Sequence, residues 1–408
     1  MSWTQFKTLA PHTAYMFERA TRDAVRPVLD QIPEFLKEPN NKIDDYLWSD
    51  YLNMSTAEGI TNRELLLRWL LTRAIADQGS DIEGVELWHY LVFSRSYAKG
   101  IRVFHKPELF MTRYVELLQI AHSSREEVVN KRAKIWAEQS PKRHEGHYNP
   151  FNVDGMHGGK QAHWFMSARI LPALMASLIF PNGLTELVFG DAEAETPGEM
   201  ARRLRNDPVS GLGGAIGDKA CDLFVKWAVG TFRLGDGLNI PWQASDCPIP
   251  MDQRVGRVMI RSGFMDELFG VARTMSKKTW GFTSRPENQP RPAEGDPLPS
   301  GTWHLTVMNF RRNAYLEKEE LKNLFTKVFN HAGFKVKKIR PQEAVSAISR
   351  LVAKEKNPNF SPVVLDDFMM RVAEICTDES PMCSKCLLQD GCQANTVPEM
   401  MPLKKYIT

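Results

Sequence analysis

The sequence predicts a mainly α fold carrying one small α+β insertion. Apolar residues recur at helical spacing through most of the 408 residues, as at Tyr114, Leu117 and Leu118. Alternation of the strand type is confined to 303–310 and 334–339. The third observation is local. Four of the six cysteines, Cys376, Cys383, Cys386 and Cys392, fall within 17 residues with the spacing C-x6-C-x2-C-x5-C.

Composition bounds the class. With 43% hydrophobic and 25% charged residues the chain is an ordinary globular sequence, long enough for two or three structural units. The net charge of +3 permits a nucleic-acid face without requiring one. No apolar run reaches spanning length; the longest, 170–180, contains Pro172. The opening residues Met-Ser-Trp-Thr-Gln-Phe-Lys lack the apolar core of a secretory signal. We therefore expect no membrane partner, a monomer, and a reducing compartment that keeps thiols free for a metal centre.

In chain order, residues 1–60 read as an aromatic-rich helical layer broken near Pro39. Thr61 opens a helix that runs into Ile75-Ala76-Asp77-Gln78-Gly79-Ser80-Asp81. Helical periodicity holds from Trp88 to Ile120. Residues 122–165 mix Arg, Lys and Glu and then turn Gly- and His-rich, which reads as a basic loop insertion. His144, His147, His157 and His163 lie in it without the spacing of a standard metal site. An apolar helix follows over 164–180. Next comes Leu212-Gly213-Gly214-Ala215-Ile216-Gly217-Asp218-Lys219, a glycine turn opening a helix. Glycine there allows positive φ and close backbone approach, and the amides at the helix start can hold a phosphate. Asp252 stands where it would cap the helix running toward Phe264. Residues 284–301 are a Pro- and Gly-rich linker. Beyond it lie the alternating stretches, with an amphipathic helix over 316–331 between them, and then helices over 343–354 and 363–375 that lead to Cys376.

Four closely spaced thiolates select a soft metal centre: zinc, Cu(I) or an iron–sulfur cluster. A zinc ribbon would show two C-x2-C knuckles. Here one knuckle is flanked by two lone cysteines at unequal distances, which points to a [4Fe-4S] cluster, with structural zinc or a disulfide set as alternatives.

The cysteine spacing, with Pro381 before the second cysteine and Leu387 after the third, resembles the cluster loop of the endonuclease III and MutY branch of the helix-hairpin-helix DNA glycosylases. Two further segments resemble that family in the same order. Gln78, followed three residues later by Asp81, is similar to the end of its first core helix. The hairpin 213–219 with Lys219, then Met251-Asp252-Gln253-Arg254-Val255-Gly256-Arg257-Val258, is similar to its hairpin and catalytic carboxylate segment. Ala215 stands where the family has the first hairpin glycine, Met251 where it has Val and Arg254 where it has His.

The resemblance implies a two-lobed helical glycosylase fold, with a core at 61–279, an insertion at 280–345 and a cluster domain at 346–408. It implies duplex DNA with a damaged or modified base as partner, in the cytoplasm or nucleoid, or in a host's cytoplasm if phage-encoded. The target nucleotide would be flipped from the helix. Asp252 would stabilise positive charge at C1′. Lys219 would be the nucleophile of a bifunctional glycosylase and AP lyase. Gln78, Gly213, Gly214, Ile216, Gly217 and Lys385 would contact DNA, and the four cysteines would hold the cluster. Two other classes stay open: a glycosylase-fold transferase that hypermodifies thymine in phage DNA, and a non-catalytic DNA-binding module.

Overall fold

A computed structural model of the chain describes residues 2–21, 31–37, 46–79, 81–139, 148–151, 156–210, 212–270, 310–311, 314–316, 318–377 and 381–396. These residues are mainly helical. Among them no strand forms, and the sole β feature is an isolated bridge between Ser55 and Thr61. No helix among them is long and apolar enough to cross a membrane.

The centre of the fold is helix α4, Asn62–Ala76. Every residue in it except Arg73 is buried, so it carries no solvent face. Thr61 caps it by accepting the Glu64 N–H at 3.2 Å. Its polar residues act as ties. Glu64 accepts the Leu184 and Thr185 N–H groups at 2.9 and 2.8 Å, capping the helix Gly183–Phe189. Arg68 pairs with Glu64 at 2.7 Å. Arg63 donates to the carbonyls of Leu234 and Asp236, which ties the start of the 233–247 segment to α4. Around α4 pack α5 (Ile82–Ala98), the helix Leu171–Ala176 and α12 (Asp218–Val225).

Three expectations are corrected. The stretch 122–139 is not a loop but the second half of a helix, Tyr114–Gln139, packed along α5. Its mixed charges pair off: Lys131 with Glu127 at 2.6 Å, and Arg132 with Asp81 at 2.7 Å. Val128 and Trp136 bury its inner face. The rest of the basic insertion, 140–147 and 152–155, lies outside the described residues, and Gly158–Trp164 is again helical. Second, 334–339 is not a strand. Phe334 and Ile339 are buried, but the Phe334 N–H bonds back to the Phe329 carbonyl of the preceding helix at 2.9 Å, and one bond, from Leu316 N–H to the Ile339 carbonyl at 2.8 Å, reaches another segment, whereas a ladder requires repeated ones. The other alternating stretch, 303–309, and the linker lie outside the described residues, while Phe310 and Arg311 are helical. Third, the N-terminal helices are not a layer of their own. Phe6 packs on Phe325 and Phe17 on Phe360, each with ring centroids 5.9 Å apart. Thr13 donates its N–H and hydroxyl to Glu267 at 2.7 and 2.6 Å.

The expected helices of the C-terminal half are present as Glu319–His331, Pro341–Glu355 and Pro362–Ile375. The apolar run 164–180 is broken into Gly158–Trp164, a π-helical turn Phe165–Ile170, and Leu171–Ala176 with Pro172 in its first turn. A second π-helical turn, Lys226–Thr231, extends α12. Its buried Lys226 pairs with Asp366 at 2.5 Å, joining it to the helix that delivers Cys376.

Candidate functional site

Three chain segments meet at the end of α4. The first is Asp77-Gln78, just past its last turn. The second is a turn, residues 212–217, joining α11 (Pro197–Asn206) to α12; these two helices pack against each other. The third is Asp252, at the start of α13 (Gln253–Ser262).

Gln78 ties the first segment to the second. Its Nε2 donates to the carbonyls of Ile75 at 2.9 Å and Ala215 at 3.1 Å, and its Oε1 accepts the Gly217 N–H at 3.2 Å. The side chain therefore lies along the turn rather than projecting from it. Gln78→Ala should cost about 1–2 kcal/mol in urea unfolding, because the Gly217 N–H loses its acceptor. A loss below about 0.3 kcal/mol would count against this tie.

The turn itself is a single 3₁₀ turn, Leu212–Gly214. None of Gly213, Gly214 and Gly217 has positive φ, so the left-handed conformation expected of them is not used. Close approach is. A Cβ on Gly213 would stand 3.2 Å from the Arg205 carbonyl, and one on Gly217 would stand 3.1 Å from Gln78 Oε1. A Cβ on Gly214 would meet open space. Ile216 is buried, and its N–H and that of Ala215 bond back to the Leu212 carbonyl. With the Gly217 N–H on Gln78, the chain enters the first turn of α12, residues 218–220.

Lys219 stands in that first turn. Its Nζ is 3.9 Å from Asp77 Oδ2. The Lys219 side chain is 30% exposed and that of Asp77 only 7%, so the amine reaches solvent while the acid does not. Asp77 Oδ1 is buried with no hydrogen-bond partner. Burial pushes the Asp77 pKa up to about 6; Lys219 and Arg73 oppose the shift, and the negative charges of Glu86 and Asp252 add to it. Asp77 thus feels the charges of both Lys219 and Asp252.

Asp252 caps α13, with Oδ1 accepting the Arg254 and Val255 N–H groups at 2.8 and 2.9 Å. Arg311 clamps the neighbours of both residues. It donates to the Met251 carbonyl at 3.5 Å, and to the Asp218 carbonyl and the buried Asp222 carboxylate.

Neither Asp77 nor Arg311 was selected from the sequence. Asp77 sits where a helix end normally meets water, and only the arrival of α12 gives it a partner 142 positions away. Because its folded-state pKa lies above the ordinary 3.8, the native protein holds this proton more tightly than the unfolded chain. Its contribution to stability is full below about pH 4 and is lost as pH rises through about 6. Asp77→Asn should therefore stabilise the protein at pH 7.5 by about 1–3 kcal/mol and do little at pH 4. Urea unfolding at both values checks this; equal effects at the two would contradict it.

The far end of α13 holds the cysteine loop. Arg257 donates to the Cys376 carbonyl at 2.6 Å. Arg261 donates to Cys376 Sγ at 2.8 Å and to the Thr377 carbonyl at 2.9 Å. Both arginines are buried, and their i, i+4 spacing sets them on one face of α13. From the other side, α2 (Pro11–Ala20) braces the loop through Arg19 on the Leu387 carbonyl and through a 2.9 Å contact of His12 Nδ1 with the Gly391 carbonyl.

No three His, Cys, Asp or Glu side chains among the described residues are drawn together as a single metal ion would require. Cys376, Cys383, Cys386 and Cys392 nevertheless line one cavity, with Ile375, Pro381 and Met382. Burial pushes the Cys392 thiol up to about 12, and Cys376 and Cys386 push it the same way. Burial thus opposes the thiolate form, which a bound cation would favour. Cys376 Sγ already receives the Arg261 N–H, and Cys386 Sγ the Leu388 N–H at 3.4 Å. The other two cysteines, Cys221 and Cys247, are buried elsewhere in the core. Lys385, on the rim of the loop, is exposed. His157 and His163 join no metal-ligand group, and His144 and His147 lie outside the described residues.

No family model, curated protein or solved structure matches this chain. The functional reading therefore rests on the site.

Proposed function

We propose that this chain processes bases in DNA, excising a damaged or modified base as a glycosylase with AP lyase activity. The observation that carries the reading is the Lys219–Asp77 pair, whose acid also feels the charge of the capping carboxylate Asp252. An amine must lose a proton before it can attack carbon. Asp77, less acidic than an ordinary aspartate, is placed to accept it. Lys219 Nζ then bonds to C1′ of the flipped nucleotide as the bond from C1′ to the base breaks and the base departs with the electron pair. Asp252 stabilises the positive charge that develops at C1′. Ring opening gives a Schiff base. Loss of a C2′ proton then expels the 3′ phosphate by β-elimination.

The four cysteines would hold a [4Fe-4S] cluster. Bound, it would fold the loop that carries Lys385 toward a phosphate. All four cysteines line one cavity, and their C-x6-C-x2-C-x5-C spacing supports a cluster over a single zinc ion.

The test is a panel of duplexes bearing different modified bases, with base release, strand cleavage and borohydride trapping read separately. A covalent adduct through Lys219 is the expected result. One observation also fits a transferase on modified thymine: Asp77 could deprotonate an external amine donor as readily as Lys219. Attachment of a small amine to 5-modified uracil, without base release, would replace the glycosylase reading with that one.

A further inference from the structure

Among the described residues, Arg169 is a cation without an acid. It lies in the π-helical turn Phe165–Ile170, against the turn that joins α11 to α12. Its guanidinium carbon is 4.4 Å from the centroid of the Trp164 ring. Its Nη1 donates to the Ala215 carbonyl at 3.3 Å, the same carbonyl that accepts from Gln78. Its Nε is shielded from solvent and has no hydrogen-bond partner. Burial alone draws its pKa down to about 10, with no neighbouring charge contributing. Other arginines near this site differ: Arg73, Arg202 and Arg205 each pair with a carboxylate.

A half-buried guanidinium with no counter-charge destabilises the fold unless an anion completes it. Trp164 orients it by cation–π contact, so little freedom remains to be lost when an anion arrives. A phosphate matches its parallel N–H groups. The Ala215 contact places it at the corner where α12 begins.

We propose that Arg169 is a phosphate-binding residue that grips one phosphodiester of the strand passing over the 212–217 turn. The proposal rests on the DNA reading above and adds to it a contact that no sequence motif marks.

The test uses the full chain and a fluorescent duplex containing a tetrahydrofuran abasic analogue, with affinity measured across a salt series. For the wild type, log K should fall linearly with log salt. In Arg169→Gln the slope should shrink by about 0.9, the loss of one phosphate contact. Affinity at low salt should fall about tenfold, the scale of one charge-assisted hydrogen bond. A second measurement replaces single phosphates with neutral methylphosphonates along one strand. At one position the wild type should lose about tenfold and Arg169→Gln almost nothing, because that variant has already lost the same contact. If Arg169→Gln does not fold, Arg169→Lys takes its place. It keeps the charge but loses the fork, so its penalty at that position should be smaller than the wild type's. Equal salt slopes for wild type and variant, or no position at which they differ, would overturn the proposal and leave the DNA reading standing. A wild type that binds no duplex at any salt would overturn both.

Discussion

Asp252→Asn should bind damaged duplex as tightly as the wild type and release base about 10²- to 10³-fold more slowly. Asparagine caps a helix about as well as aspartate, so the Arg254 and Val255 amides keep their acceptor and α13 keeps its start. What is lost is charge, which acts chiefly as C1′ becomes positive. Asp252→Ala separates the two roles: it should show the same slow release and lose about 1 kcal/mol of stability as well. Lys219→Ala supplies the matching control. It should abolish borohydride trapping while leaving binding nearly intact, since one contact is a small part of a duplex interface. Single-turnover release and trapping on a responsive substrate measure all three. Trapping that survives in Lys219→Ala would assign the nucleophile to another amine. Normal release by Asp252→Asn would reduce Asp252 to a cap.

The second large effect is expected at the cysteine loop. Wild-type protein should be brown and carry about four iron atoms per chain. Cys386→Ser should abolish the colour and cost on the order of 5 kcal/mol, because ligation of the centre and folding of the loop are one event. Cys221→Ser and Cys247→Ser should leave the iron content unchanged, since both side chains are buried away from the cavity. A colourless wild type with one zinc would replace the cluster with a structural zinc site.

Features set by neighbours in sequence were legible there. The Thr61 cap, the Asp252 cap, the cysteine spacing and the three C-terminal helices all depend on residues a few positions apart. What depends on distant contacts was not. Asp77 reads as a solvated helix end until α12 covers it. Arg169 reads as a surface arginine until Trp164 and Ala215 enclose it. The charges at 122–139 suggested a loop, because their partners Asp81 and Glu83 lie on another helix. Nor did the sequence signal that the amide of Gln78, expected to contact DNA, engages the 212–217 turn. The alternation at 334–339 was a true strand pattern, but no neighbouring strand pairs with it among the described residues.

The bracing of the cysteine loop by α2 sets an order of assembly. His12 and Gly391 are 379 positions apart, and Trp3 meets Glu355 across 352. Contacts of such separation close the longest loops in the chain, and those loops close slowly. On a ribosome adding about 5–20 residues per second, α2 waits tens of seconds for the segment it is built to hold. During that interval the apolar side of α2, with Met16 and Phe17, has no native cover. A chaperone that shields this short helix early should raise the yield of folded protein more than one acting on the finished chain.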